Sequence, residues 1–126
     1  MKQKLENDLR EGYPEIFQNV KIEVGLGWFT ILDELARRIR FRQKFKNELQ
    51  QIKATQVKEK FGGLRFYFTG GDDYIQGLVD MAEAMSYKTC EDCGWPGKTR
   101  NGNWIRTLCD GCDRRRTMPL TVKEET

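Results

Sequence analysis

Four cysteines arranged in two closely spaced pairs are the strongest constraint on how this chain can fold. The pattern is Cys90-x2-Cys93-x15-Cys109-x2-Cys112, which falls within the spacing of zinc ribbons. Each CxxC turn can direct two sulfurs toward one tetrahedral ion. The sequence therefore predicts a four-thiolate ribbon with one structural Zn²⁺ bound by Cys90, Cys93, Cys109 and Cys112.

The remaining composition narrows the chemistry of this site. The chain contains no histidine, so a catalytic zinc held by imidazoles is excluded and four thiolates make a closed, structural site. A dithiol redox protein and a secreted disulfide protein are the alternatives. The opening segment MKQKLENDLREG is charged and lacks a signal-type apolar stretch, and no apolar run approaches the roughly 18 residues of a membrane span. We therefore expect a cytoplasmic protein without membrane association.

Apolar residues at three- and four-residue steps predict three helices. A short helix is expected over Lys2–Glu11, and a longer one begins near Trp28. Phe41 and Phe45 lie on a different side of this longer helix from its earlier apolar residues, so we predict a break near Arg40–Lys44, or a helix packed between two layers. The third helix is expected between the predicted hairpin and the first cysteine pair.

Alternating apolar and polar residues predict a small sheet that contains a tight hairpin. One strand is expected over Val20–Val24, and Thr55–Phe61 and Leu64–Thr69 form a hairpin joined by Gly62-Gly63. Phe61 is expected on the buried face, which a helix must cover. The opposite face is expected to be either a polar recognition surface or a plain solvated surface, and it carries Lys58, Lys60, Arg65 and Tyr67.

Together these elements predict an α+β fold in which a small β-sheet containing a tight hairpin is covered by helices and followed by a four-cysteine zinc ribbon. The α+β domain is expected over residues 1–86, the ribbon over residues 87–117 and a flexible tail over residues 118–126. No Pro/Ser-rich linker precedes the cysteines, so the ribbon is expected to pack directly against the preceding helix.

Basic residues are concentrated locally, although the formal net charge is only +3. Between Arg37 and Lys60 there are nine Lys or Arg against two acids, a pattern that attracts phosphates. In the ribbon, Trp95 and Trp104 alternate with cations, and these indoles either stack on bases or cover the zinc site and dock the ribbon. Arg100 and Arg106 are expected to contact phosphates. The cluster Arg114-Arg115-Arg116 is expected to bind a phosphate backbone or an acidic partner surface or, alternatively, to balance the zinc-thiolate centre or lie in solvent.

The segment QVKEKFGGLRFY (Gln56–Tyr67), with Gly27-Trp28-Phe29 upstream and the cysteine pairs downstream, resembles a group of small uncharacterised bacteriophage and bacterial zinc-ribbon proteins. The likeness spans about Gly27 to Cys112. It implies a context and no activity, because small phage-borne proteins are often regulators or inhibitors of a host system. For a phage-encoded chain, the expected location is the host cytoplasm.

The sequence favours binding over catalysis. Without histidine, and without a thiol beyond the four cysteines, no nucleophile–base pair can be nominated, and Asp72-Asp73 are expected to cap a helix. The leading hypothesis is a non-enzymatic regulator that binds nucleic acid. A protein-binding inhibitor of a host or defence factor is the second hypothesis, and a carboxylate-dependent enzyme is the third. No small-molecule substrate is inferred.

Overall fold

A computed structural model describes residues 2–117, so the tail predicted over residues 118–126 lies outside the described residues. The fold is mixed α+β, as predicted. Along the chain the elements are α1 (Lys2–Gly12), α2 (Pro14–Phe17), β1 (Ile22–Glu23), a 3₁₀ turn (Leu26–Trp28), α3 (Phe29–Phe45), β2 (Lys53–Lys60), β3 (Gly63–Thr69), α4 (Asp73–Ser86), β4 (Lys98–Arg100), β5 (Arg106–Leu108) and α5 (Asp110–Thr117).

The larger sheet has three strands in the order β1-β2-β3. β1 pairs with β2 in parallel, with Ile22 opposite Val57, and α3 supplies the crossover that a parallel pair requires. β2 and β3 form the predicted antiparallel hairpin, in which Val57 faces Phe66. All three of these side chains are buried, so one face of the sheet carries the core.

The hairpin turn lies one residue earlier than predicted. Lys60 pairs with Gly63, so the two central residues are Phe61 and Gly62, with φ of 53° and 85° as in a type I′ turn. Gly63 belongs to β3 instead, where a Cβ would lie 2.2 Å from the Tyr87 ring. The prediction that Phe61 is buried is therefore wrong, because the turn places its ring in solvent.

Helices α1 to α4 pack around the sheet and close the core. Phe17 of α2 meets Phe66 edge-on at 6.2 Å, and α4 follows the edge strand β3. The carboxylate of Asp72 accepts a hydrogen bond from the Ile75 N–H at 3.2 Å, which confirms the predicted helix cap. No helix among residues 2–117 is long and apolar enough to cross a membrane. The largest fully buried side chains of this core include Trp28, Phe17, Leu5, Leu9, Ile16, Leu32, Ile39, Ile52, Leu64 and Ile75.

The predicted break in the long helix is absent, because α3 continues without interruption to Phe45. Its second apolar stripe is not buried within a second layer either. Phe41 and Phe45 are exposed and contact each other edge-on at 4.7 Å. Ile52 does reach the core, because the chain has left the helix by then and turned back into β2.

Residues 88–117, here called the cysteine module, pack directly on the rest of the protein. Hydrogen bonds join it to the end of α4, where the Thr89 hydroxyl donates to the Met85 carbonyl at 2.9 Å, and also to the segment before α3 and to the hairpin turn. The Gly27 N–H donates to the Glu91 carbonyl at 2.7 Å, and the indole N–H of Trp28 donates to the Thr89 carbonyl at 2.9 Å. The Thr107 hydroxyl donates to the Gly62 carbonyl at 2.6 Å. The hairpin tip is therefore held against the cysteine module.

Candidate metal centre and adjoining surfaces

The four cysteines converge at one point, although they come from two segments of the chain. Their Sγ atoms all lie within 4.8 Å of one another, and those of Cys93 and Cys109 are 3.6 Å apart. Cys90 and Cys112 are buried, whereas Cys93 is exposed at the rim. The structure thus brings together all four ligands that the sequence predicted.

The size and surroundings of the cluster fit one four-coordinate ion. Four sulfurs placed tetrahedrally about 2.3 Å from a Zn²⁺ ion would lie about 3.8 Å from each other. The Cys112 N–H donates to Cys109 Sγ at 3.4 Å, and an Arg115 guanidinium nitrogen lies 3.7 Å from Cys112 Sγ. Such donors stabilise metal-bound thiolates and orient them. Arg115 is thus within reach of the cluster, as the alternative of balancing an anionic centre requires.

The pKa values of the two thiols of the second pair are shifted in opposite directions. The backbone N–H of Cys112 lowers the pKa of Cys109 to about 7, whereas burial raises the pKa of Cys112 well above its usual value. A metal ion held by these cysteines would bind them as thiolates, so its binding would displace the protons that the thiols carry.

Most arginines of the cysteine module are engaged within it. Arg100 binds the Leu108 carbonyl and the Asp110 carboxylate, the latter at 2.7 Å, and it lowers the pKa of Asp110. Arg106 binds Glu91 at 3.2 Å and Asp92 at 2.7 Å. With side chains only 17% and 14% exposed, these two arginines hold the module together and offer little to a phosphate.

The Arg114–Arg116 cluster lies on α5 directly after the last cysteine of the site. Arg116 pairs with Asp113 at 3.0 Å and donates to the Trp104 carbonyl at 2.9 Å, which ties α5 to the β4–β5 loop. Arg114 and Arg115 are exposed. Arg116 therefore anchors α5 to this loop.

The basic stretch from Arg37 to Lys60 is neutralised in part by acids from elsewhere in the chain. Glu34 binds both Arg37 and Arg38, at 2.7 and 2.8 Å. Arg40 binds Glu15 at 2.6 Å, and this guanidinium lowers the pKa of that carboxyl. In the same way Arg42 pairs with the capping carboxylate of Asp72 and lowers its pKa. A count of charges in the sequence could not predict these ion pairs between distant residues.

Polar residues predicted for the open face of the sheet lie opposite one another on neighbouring strands. Lys58 lies directly opposite Arg65, and Glu23 of β1 lies opposite Lys58 on its other side. Arg65 is drawn toward α4, where it binds Glu83 at 2.9 Å and the Tyr87 hydroxyl at 3.1 Å. Tyr67 remains exposed. The face is therefore mixed in charge rather than uniformly basic.

A surface that the sequence interpretation missed lies where the hairpin turn meets the β4–β5 loop. Phe61 and Trp104 are each 63% exposed, and between them is a cleft of about 370 Å³. Lys60 Nζ lies 5.6 Å from the Phe61 ring centroid, and Arg106 Cζ lies 5.1 Å from that of Trp104. We call this the aromatic cleft; its lining residues are Glu59, Lys60, Phe61, Gly102, Asn103, Trp104 and Ile105.

One sequence feature could have predicted this cleft, because Phe61-Gly62 is also a possible pair of turn residues. The prediction of a Gly62-Gly63 turn placed Phe61 in a strand, and its exposure was therefore missed. Trp95 and Trp104 are both exposed, so neither indole docks the module onto the rest of the protein; Trp28 makes that contact instead.

Comparison with known protein families, with curated proteins and with solved structures found no match to the chain. The function therefore has to be inferred from the geometry of these surfaces.

Proposed function

We propose that this chain is a zinc-ribbon protein that binds single-stranded nucleic acid in a regulatory, non-enzymatic role. In this proposal one structural Zn²⁺ occupies the cluster of Cys90, Cys93, Cys109 and Cys112, since a tetrahedral all-sulfur site suits zinc. The ion fixes the cysteine module, and the module fixes one wall of the aromatic cleft.

The observation that carries the proposal is the conformation of Phe61. A left-handed backbone costs an ordinary L-residue about 1–2 kcal/mol, and glycine or asparagine avoids most of that cost. Phe61 nevertheless has a φ of 53°, and its ring gains little from burial. Strain of this kind at an exposed aromatic residue supports a role in binding.

The cleft has the composition of a stacking platform. Bases stack on exposed aromatic rings irrespective of sequence, and each such contact is worth about 1–3 kcal/mol. Phe61 and Trp104 supply two rings. The Glu59 carboxylate, which also lines the cleft, accepts a hydrogen bond from the Gly62 N–H at 2.7 Å. Because the faces of bases are covered in a duplex, two open rings favour a single strand.

Lys58 and Lys60 supply positive charge beside this platform. They lie two residues apart on β2, and neither forms an ion pair with any residue of the described range 2–117. A strand whose bases stack on Phe61 and Trp104 could place its phosphates along these lysines. In this proposal Lys58 and Lys60 therefore contact phosphates, as predicted. Arg100 and Arg106 do not contact the nucleic acid and instead stabilise the cysteine module.

Fluorescence anisotropy of zinc-loaded protein with single- and double-stranded oligonucleotides at two salt concentrations tests this function. We expect tighter binding of the single strand, and a loss of about 5- to 150-fold for Phe61→Ala or Trp104→Ala. Replacing Lys60 with Gln should reduce the slope of log affinity against log salt by about 0.7. Phe45→Ala, which removes an exposed ring far along α3, is the matched control and should bind as wild type does. Absent binding at low salt would refute the proposal.

A protein-binding inhibitor of a host or defence factor is the second candidate. The mixed charge of the open sheet face, where Glu23, Lys58 and Arg65 form one row across three strands, favours it. This candidate requires a stoichiometric complex that survives nuclease treatment, and loss of every partner on nuclease treatment would exclude it.

A further inference from the structure

The two edges of the three-stranded sheet differ in how well they are protected. At one edge β1 is only two residues long, and the Ile22 N–H donates to the Glu6 carboxylate at 2.8 Å. At the other edge β3 runs for seven residues without a proline, and no strand among residues 2–117 pairs with its outer side. A strand edge of this length presents a row of N–H and C=O groups with which a further strand can pair.

The backbone groups of Phe66 and Phe68 form the open part of this edge. Every second residue of an antiparallel strand directs its N–H and C=O away from the partner strand. Leu64 has this orientation, because its N–H donates to the Ser86 hydroxyl at 2.9 Å, and Phe66 and Phe68 follow at steps of two. No side chain or loop of the described chain forms a hydrogen bond with the backbone of these two phenylalanines. The edge is therefore closed at Leu64 and open beyond it.

A cleft of about 470 Å³ lies along this open part, between β3 and α4. Phe66 and Phe68 line it from the core face of the sheet, and Arg65 and Tyr67 line it from the open face. Because both faces of one strand contribute, the cleft lies beside the strand edge. The wall supplied by α4 consists of Gln76, Val79, Asp80 and Glu83. We call this the β3–α4 cleft.

The charges of the β3–α4 cleft favour a basic occupant. Arg65 is the cation among its lining residues, and it already pairs with Glu83 at 2.9 Å. Asp80 is exposed, accepts a hydrogen bond from the Gln76 amide at 2.9 Å and forms no ion pair with any residue of the described range. One carboxylate on the α4 wall thus lacks a counter-charge, which a cation of the occupant would supply.

We propose that the β3–α4 cleft binds an extended basic segment of a partner protein, which adds to β3 as a fourth strand. The open edge requires an extended backbone, which pairs with Phe66 and Phe68. A Lys or Arg of the segment points toward α4 and pairs with Asp80. Its neighbours point the other way, beside the exposed ring of Tyr67, where β-branched side chains fit. The β3–α4 cleft shares no lining residue with the aromatic cleft, so this binding does not depend on nucleic acid.

NMR titration of the zinc-loaded full chain with the peptide acetyl-Thr-Val-Lys-Val-Lys-Val-Thr-amide, without nucleic acid, tests the proposal. At a peptide concentration about ten times the dissociation constant, hydrogen exchange of the Phe66 and Phe68 amides should slow by about tenfold, because the added strand accepts from them. No effect on these amides at about 1 mM peptide would overturn the proposal. Protection that exists without peptide and grows with protein concentration would overturn it as well, because a second copy of the chain would then occupy the edge.

Two N-methylated peptides make the test specific for strand addition. Antiparallel addition turns the lysine amides toward β3, whereas parallel addition turns the valine amides toward it. Methylation of the lysine amides in one peptide and of the valine amides in the other should therefore give affinities that differ by about tenfold or more, and the weaker peptide reports the strand direction. Equal affinities would exclude backbone pairing and overturn the proposal.

Asp80→Asn tests the charge of the cleft. This variant should bind the peptide about two- to fivefold more weakly, as expected for loss of an exposed ion pair. Glu11→Gln removes an exposed carboxylate of α1 that does not line the cleft, and it is the matched control, with no change expected. Circular dichroism establishes that both variants are folded. Equal affinity of Asp80→Asn and wild type would contradict a basic occupant.

Discussion

Phe61 stands at a backbone position where glycine or asparagine is usual. It is the only non-glycine residue between residues 2 and 117 with a positive φ, and the following Gly62 completes the turn. Neighbouring Gly63 lies in β3 instead, where a Cβ would meet the Tyr87 ring. Thus Phe61, whose side chain is unfavourable in this backbone conformation, is also a residue whose ring is open to a ligand.

Phe61→Asn should raise the free energy of unfolding by about 1 kcal/mol while weakening nucleic-acid binding, since Asn-Gly is the favoured pair for a type I′ turn. Urea denaturation of the zinc-loaded protein measures the first effect. Phe61→Ala is the control, because it removes the ring but retains the strained backbone, and it should bring no gain in stability. Destabilisation by Asn would mean that the ring supports the fold rather than a ligand.

At the scale of elements, the β2–β3 hairpin and the segment before α3 connect the cysteine module to the larger core. The Glu91 carbonyl accepts from Gly27, and one of its carboxylate oxygens accepts from the Gly25 N–H at 2.9 Å. Burial raises the pKa of Glu91, and Arg106 opposes that shift. These contacts leave no room for a Cβ at Gly25 or at Gly27.

Gly27→Ala should therefore loosen the module, since a Cβ there would lie 2.2 Å from the Cys90 carbonyl oxygen. Backbone atoms cannot move aside as a flexible side chain can, so we expect a loss of about 1–3 kcal/mol in the free energy of unfolding. Gly12→Ala, whose new Cβ meets nothing within 4 Å, is the matched control and should change stability by less than about 0.5 kcal/mol. Equal stability of both variants would show that this close contact is not maintained in solution.

At the scale of the whole molecule, the two parts of the described chain are stabilised differently. The main core draws on α1 to α4 and the three-stranded sheet. The cysteine module has a far smaller cluster, in which Leu108 is the buried apolar side chain besides cysteines. So small a core cannot offset the entropy of ordering about thirty residues. The module must therefore depend on its docking contacts and, in the proposal above, on the ion that its cysteines bind.

Removal of the metal by a strong chelator should unfold the cysteine module while most of the helical circular dichroism signal persists. Metal binding in small zinc domains contributes about 10–16 kcal/mol, which exceeds the stability of many whole domains. Atomic absorption should give one Zn²⁺ per chain, and affinity for a single strand should fall with the metal, because Trp104 belongs to the module.

Zinc added back should restore the wild type, whereas Cys112→Ser should fail to recover. An unchanged module after chelation, with a disulfide formed in its place, would support the dithiol alternative and contradict a structural zinc site.

The sequence by itself determined the features that depend on near neighbours. The spacing of the cysteines, the cap at Asp72 and the period of apolar residues along α4 are set within a few residues, and each predicted its local structure. The existence of the β2–β3 hairpin was equally evident from alternation.

Only the tertiary structure decided the features that depend on distant groups. The turn lies one residue earlier than predicted, and Gly63 stands in β3 against the Tyr87 ring. Arg40, Arg42 and Arg106 form ion pairs because Glu15, Asp72 and Glu91 approach them from distant parts of the chain. Likewise, periodicity shows that a helix has an apolar side, but whether that side is covered depends on which elements pack against it. The aromatic cleft is a consequence of that packing, and it is therefore a property of the fold.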